Sequence, residues 1–164
     1  IKPDNFMVSS EGVLKLSDFG LALFLPPGRL LTEKCGTPAF MAPEQHRLPR
    51  HSRGYTNLCD VWAAGVTMYM LMLGGRHPFL GNGKIDERRL LNGEMDFNVS
   101  QGFLSFGMNE PRYSDGARGL CKLLVEPDPQ RRPKALDVYL QDPWLRSRPR
   151  GNPRGNAAAA AAAA

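Results

Sequence analysis

The run from Cys59 to Leu73, CDVWAAGVTMYMLML, closed by Gly74-Gly75, constrains this chain more than any other stretch. Its apolar residues fall on every side of a helix. A helix that is hydrophobic all round is stable only when other elements surround it. The run therefore predicts one buried central helix, whose walls the remaining segments must supply. It is too short, and too near charged residues, to span a bilayer. Asp60 falls near its start, where a carboxylate suits the helix dipole. At 164 residues the chain is long enough for one domain with a sizeable core.

The wall segments are legible from their periodicity. Residues 83–95, GKIDERRLLNGEM, predict a helix with a charged and an apolar face. Residues 114–126, SDGARGLCKLLVE, predict another, with Ser114 as its N-cap. Residues 132–145 put Pro133 in a first turn and carry a last helix to Pro143. Trp62, Trp144, Met68, Met70 and Met72 are expected as core packing. Before the helices, Phe6-Met7-Val8 and Val13-Leu14-Lys15-Leu16 flank the polar turn Ser9-Ser10-Glu11-Gly12, which predicts a hairpin. Between hairpin and central helix, residues 20–44 contain Gly20, Pro26, Pro27, Gly28, Gly36, Pro38 and Pro43. So many breakers predict a long loop, and loops of that length usually do something. The expected fold is thus mainly α-helical with a small β-hairpin at its start.

Charge narrows the partners. The formal net charge is +5, but Arg146, Arg148, Arg150 and Arg154 sit in a tail with no acid after Asp142; setting them aside brings it to +1. The body, residues 1–145, is nearly neutral, and residues 146–156 read as a solvated basic end rich in Gly, Pro and Arg. A second basic cluster, residues 46–53, reads as an exposed loop. Neither cluster interleaves aromatics as a nucleic-acid platform does, so no nucleic-acid partner is expected. The eight alanines 157–164 read as backbone of unassigned identity and carry no fold information. Cys35, Cys59 and Cys121 are odd in number, far apart and without metal-ligand spacing, which fits a reducing compartment. A cytoplasmic setting is expected, with nucleus and cytoskeleton as alternatives.

The candidate chemistry lies at one edge of the hairpin. Asp18-Phe19-Gly20 follows the second strand, and Asn5 stands thirteen residues upstream, where the first strand begins. Pairing the strands would bring one carboxylate and one amide oxygen together. Hard oxygen ligands of this kind suit Mg²⁺, which keeps water and phosphate oxygens as its other ligands.

Ile1-Lys2-Pro3-Asp4-Asn5 fits the end of the catalytic-loop pattern H-R-D-L-x-x-x-N, with Ile1 at the leucine position. Asp18-Phe19-Gly20 and Ala42-Pro43-Glu44 match two further members of that signature set, in the right order. The sequence resembles the C-terminal lobe of a eukaryotic-type Ser/Thr protein kinase, over residues 1 to about 145. Asp60-Val61-Trp62, Gly65, Pro78-Phe79 and residues 128–133, DPQRRP, extend the resemblance. It implies a kinase-like fold, α+β when complete. It also implies that His-Arg-Asp, with the catalytic base, lies immediately before Ile1, and that the glycine-rich loop and strand lysine lie further upstream.

The same resemblance implies ATP and Mg²⁺ as cofactors. Asp18, with Phe19 and Gly20, would hold the metal on the β- and γ-phosphates, Asn5 would hold a second metal, and Lys2 would steady the phosphoryl group as a point charge. Gly36-Thr37-Pro38 resembles the substrate segment of Ser/Thr kinases, where the threonine hydroxyl bonds the base and the lysine. Protein substrates with Ser or Thr acceptors follow. Thr32 is the regulatory phosphosite candidate, its dianion ordering the loop through basic neighbours such as Arg29 and Lys34. Glu44 and Arg132 match a buried ion pair, and Asp60 matches the acid that receives catalytic-loop N–H groups. GTPAFMAPE, DVWAAGVTMY and Ala63 after the tryptophan resemble the calcium/calmodulin-dependent kinase group, especially its kinase kinases; GRHPF resembles calcium-dependent kinases. Calcium regulation is implied by that likeness alone.

The expected function is Ser/Thr phosphorylation from ATP, with residues 1–164 inactive by themselves. The alternative is a catalytically dead kinase fold that serves as a scaffold in a large assembly. Lys2, Asn5, Asp18 and Gly20 together favour activity, because a scaffold needs none of them. A lobe standing alone would expose the apolar face that normally meets the small lobe.

Overall fold

The computed structural model describes residues 1–98 and 113–147. The basic tail beyond Ser147 and the alanines lie outside the described residues.

The chain opens with a 3-10 turn, Pro3–Asn5, and an antiparallel hairpin of β1, Phe6–Val8, and β2, Leu14–Leu16. The register pairs Phe6 with Leu16 and Val8 with Leu14. Ser9 closes the turn from both sides. Its carbonyl accepts from Gly12 N–H (2.9 Å) and its hydroxyl from Val13 N–H (3.2 Å). Both faces of this ribbon carry exposed apolar side chains: Met7, Val8 and Leu14 on the strands, then Phe19, Leu21, Leu23 and Phe24 beyond them, with Phe24 86% exposed.

The central helix is α2, Leu58–Met72, and it follows the short α1, Pro43–His46. Trp62 and Val66 of α2 are wholly buried and pack with Ala42, Phe79, Leu90 and Val125. Trp62 stacks on Phe79 at 5.5 Å and 16°. One turn on, Tyr69 and Leu73 pack with Cys121 in a second cluster, which Met68 and Met72 flank. The helix stops at Gly74 and Gly75, both in the left-handed region (φ +64° and +87°), where Gly75 N–H donates to the Met70 carbonyl (2.7 Å). The expectation of burial on all sides fails at two places: Asp60 and Leu71 are exposed, so part of the flank of α2 faces outward.

The principal wall is α4, Asp115–Leu124. Ser114 caps it by accepting from Ala117 N–H at 3.2 Å. Gly65 lets the two helices meet: a Cβ there would stand 2.6 Å from Val125 Cγ2 and 2.8 Å from Leu124 Cβ.

Prolines and turns redraw several expected boundaries. Residues 20–44 are not unbroken loop, because Pro38 opens a 3-10 turn, Pro38–Phe40, and Pro43 opens α1. Proline's fixed φ suits a first helical position, so both residues act as starts. Residues 83–95 are not one helix. A small hairpin of β3, Leu80–Gly81, and β4, Lys84–Ile85, precedes α3, Glu87–Asn92. Asn82 and Gly83 turn it with positive φ, and Asp86 caps α3 by accepting from Arg89 N–H (3.0 Å). The last helix is likewise two. α5 spans Ala135–Gln141, with Pro133 ahead of its first turn, and α6 spans Pro143–Ser147. Asp142 separates them, its Oδ1 accepting from Trp144 N–H (2.9 Å) and Leu145 N–H (3.2 Å). Among the described residues, no helix is long and apolar enough to cross a membrane.

Candidate active site

The hairpin brings its two ends together. Ser17 N–H donates to the Asn5 carbonyl at 2.8 Å, and Ser17 Oγ–H donates to the same oxygen at 2.9 Å. Asp18 is therefore held beside Asn5. Asp18 takes φ +60°, the left-handed region that only a short polar side chain tolerates easily. Its Oδ1 accepts weakly from Gly20 N–H (3.4 Å), and the residue is exposed. Strain of this kind gathers at sites that bind or react. The 3-10 turn adds Lys2, whose carbonyl accepts from Asn5 N–H (3.1 Å). The Lys2 ammonium makes no hydrogen bond or ion pair among the described residues. The backbone of one hairpin edge thus carries Lys2, Asn5 and Asp18.

This donor set fits Mg²⁺ that brings other ligands with it. Two hard oxygens cannot complete an octahedron, so water and phosphate must supply the rest. Among the described residues, no group of three or more His, Cys, Asp or Glu side chains could cage a cation without them. Phe19 is 65% exposed and Gly20 is exposed, so both line the open side of this edge.

Residues 36–38, expected from the sequence as a substrate segment, are anchored on the helical side. Gly36 has φ +116°, and Thr37 N-caps the 3-10 turn through its carbonyl, which accepts from Phe40 N–H (2.9 Å). Gln45, nearly buried, spans the segment: its Oε1 accepts from Ala42 N–H (3.0 Å) and its Nε2 donates to the Cys35 carbonyl (3.3 Å). Two histidines hold the middle. His46 Nε2 lies 3.0 Å from the Pro38 oxygen and His77 Nε2 lies 2.9 Å from the Ala39 oxygen. Burial lowers both imidazole pKa values. The Pro38 and Ala39 carbonyls oppose the shift; for His46, Lys34 adds to it and Glu87 offsets a little. No sequence pattern pointed to these two histidines. The available signal was the position of His77 directly before Pro78-Phe79.

The remaining sequence-derived candidates are scattered. The expected bond between the Thr37 hydroxyl and Lys2 is not formed: Thr37 is exposed, and its side chain makes no hydrogen bond among the described residues. Thr32 is exposed between two anchors on Tyr55. Leu31 forms an antiparallel bridge with Tyr55, and Tyr55 O–H donates to the Glu33 carbonyl (2.9 Å). Lys34, expected as a partner for a phosphate there, instead donates from Nζ to the His46 carbonyl (3.0 Å). Asp60 stands in the first turn of α2, and its carboxylate accepts no hydrogen bond from residues 1–5.

Glu44 and Arg132 meet in the core, 88 residues apart. Arg132 Nη1 and Nη2 donate to Glu44 Oε1 (2.7 Å) and Oε2 (3.0 Å). The same guanidinium donates to the Leu58 and Glu126 carbonyls at 2.9 and 2.8 Å and lies 5.3 Å from the Trp62 ring. The pair joins the start of α1 to the segment after α4.

Comparison with known proteins shows the family. The family model described as "Protein kinase domain" matches residues 1–145. Calcium-dependent protein kinase 21 of Oryza sativa subsp. japonica is 37% identical over 151 residues, covering 90% of this chain and 24% of the relative. Calcium-dependent protein kinase 12 of Arabidopsis thaliana is 36% identical over 149 residues, covering 88% and 27%. The chain spans about a quarter of the length of the curated relatives it matches.

Proposed function

This chain belongs to the protein kinase domain family, Ser/Thr branch, and from that footing we propose that the full protein phosphorylates Ser or Thr hydroxyls of protein substrates with ATP. The observation that carries the reading is the hairpin edge: Ser17, the neighbour of Asp18, bonds the Asn5 carbonyl twice, and Asp18 takes the left-handed region. Mg·ATP, when bound, supplies the phosphoryl group and most of the positive charge that neutralises it. Asp18 and Asn5 would hold the metal, and Lys2 would offer its charge to the phosphate. Phosphoryl transfer asks for this positioning and electrostatic stabilisation more than for covalent chemistry. Residues 36–38 carry the peptide side. By themselves, residues 1–164 transfer no phosphate on this reading.

The test is Mg·ATP-dependent phosphorylation of a generic Ser/Thr peptide by the full-length protein, beside an Asp18→Ala variant. A drop of at least about a hundredfold in the variant is expected. Equal rates would refute the role of Asp18. No transfer by either folded protein would favour the scaffold alternative. A calcium chelator in the same assay tests the calcium dependence that the relatives carry in their names.

A further inference from the structure

The contacts of the two histidines fix where a ring hydrogen sits, and for His77 the whole protonation state. A carbonyl oxygen only accepts, so His46 Nε2 and His77 Nε2 both carry the hydrogen. His77 is held at its other nitrogen as well, since Phe79 N–H donates to Nδ1 at 3.1 Å. That nitrogen is therefore bare, and His77 is a neutral Nε2–H imidazole bridging Ala39 to Phe79. Its ring meets Phe40 edge-on at 5.4 Å and Phe79 at 6.1 Å. Phe79 is wholly buried against Trp62, so the far anchor of the bridge is the core of the lobe.

We infer that His77, with His46, is a positioning residue for peptide binding: the two Nε2–H groups set the height of the Pro38-Ala39 backbone, and so the surface on which the peptide lies. This rests on the kinase reading and deepens it. Among the described residues, the other hydrogen bonds on this segment come from within about ten positions along the chain, whereas His77 joins it to the loop beyond α2, 38 residues away. Protonation would work against the bridge. The second proton enters at Nδ1 and sets an N–H donor against Phe79 N–H, while Nε2 still faces Ala39. The groups acting on His77 are the Ala39 carbonyl and the burial made by its surroundings; those acting on His46 are the Pro38 carbonyl, Lys34 and Glu87.

The experiment compares full-length wild type, His77→Phe, which removes both ring bonds, and His77→Gln, which restores a donor at the Nε2 position. In His77→Phe the peptide KM rises about three- to tenfold, the loss of one or two hydrogen bonds, with the ATP KM unchanged. His77→Gln recovers most of that rise. The wild-type peptide KM climbs as pH falls below about 6.5, and the climb flattens in His77→Phe. Separately, ¹⁵N NMR of the wild-type ring shows hydrogen on Nε2 alone at neutral pH. An unchanged peptide KM in His77→Phe, an equal rise in both KM values, or a ring hydrogen on Nδ1 overturns the inference and leaves the kinase reading standing. A folded wild type that transfers no phosphate fells the kinase reading, and this inference with it.

Discussion

Replacing Glu44 by Gln should cost the lobe more than its small change in shape suggests. The Arg132 side chain is 0% exposed and that of Glu44 6% exposed. Arg132 places four N–H donors, two on Glu44 and one each on the Leu58 and Glu126 carbonyls. In Glu44→Gln the counter-charge vanishes and the new amide sets its own N–H₂ against one guanidinium nitrogen. A stranded buried charge costs about 3–5 kcal/mol. For a domain of this size each kcal/mol moves Tm by about 2–4 °C, so a fall of roughly 6–20 °C is expected. The assay is urea unfolding of the full-length protein, with the midpoint shifted and m unchanged. An internal control is available in Arg118–Asp115, which at 2.6 Å is shorter, but whose side chains are 41% and 92% exposed. Arg118→Gln should cost less than about 1 kcal/mol, because solvent screens an exposed pair. If Glu44→Gln also costs less than about 1 kcal/mol, burial is not what gives the pair its energy, and the stranded-charge reasoning is refuted.

Three further perturbations probe other parts of the lobe. Gly65→Ala should destabilise by about 1–3 kcal/mol, since its Cβ would fall inside contact distance of Val125 and Leu124; a neutral effect in urea unfolding would mean that α2 and α4 separate freely. Cys59 and Cys121 thiols are pushed up to about 12, chiefly by burial. Iodoacetamide at neutral pH should therefore leave both unlabelled in the native protein and label both in urea, as read by mass spectrometry. His46 and His77 have folded pKa values below the ordinary 6.5, so the unfolded chain takes up their protons first. Their contribution to stability is whole above about pH 6.5 and falls as pH drops below it. The urea midpoint should fall between about pH 7 and 5, and less so in His77→Gln; an identical fall in both would remove His77 from the account.

Local patterns were readable from the sequence where one residue's neighbours decide its fate. The hairpin came from two short apolar runs around a polar turn, and Ser114 announced α4 because a cap acts within three residues. The convergence of Asn5 and Asp18 needed only the hairpin. Features decided elsewhere escaped. Pro38 and Pro43 looked like breakers, and whether a proline ends or begins a turn depends on the packing of the residues after it. The sequence pattern stops the last helix at Pro143 and so misses α6, which Pro143 opens after the Asp142 cap. The role of His77 could not be read beyond its place in GRHPF, since its partners are a backbone carbonyl 38 residues back and an N–H two residues on. Backbone atoms carry no sequence identity, so a side chain that serves them is invisible in a pattern of residue types.

The two hydrogen bonds that Ser17 donates to the Asn5 carbonyl have a consequence for chain length. The turn at Ser9–Val13 lies at the opposite end of the ribbon from Asn5 and Asp18. Residues added there would lengthen a solvent-exposed tip and leave the paired strands in register. A single residue added within β1 or β2 would turn every later side chain of that strand to the other face. The number of residues between the asparagine and the aspartate is therefore free to drift, while the cross-strand pairing is not. Proteins that share this edge are better compared by which residues face each other across the ribbon than by how far apart they fall along the chain.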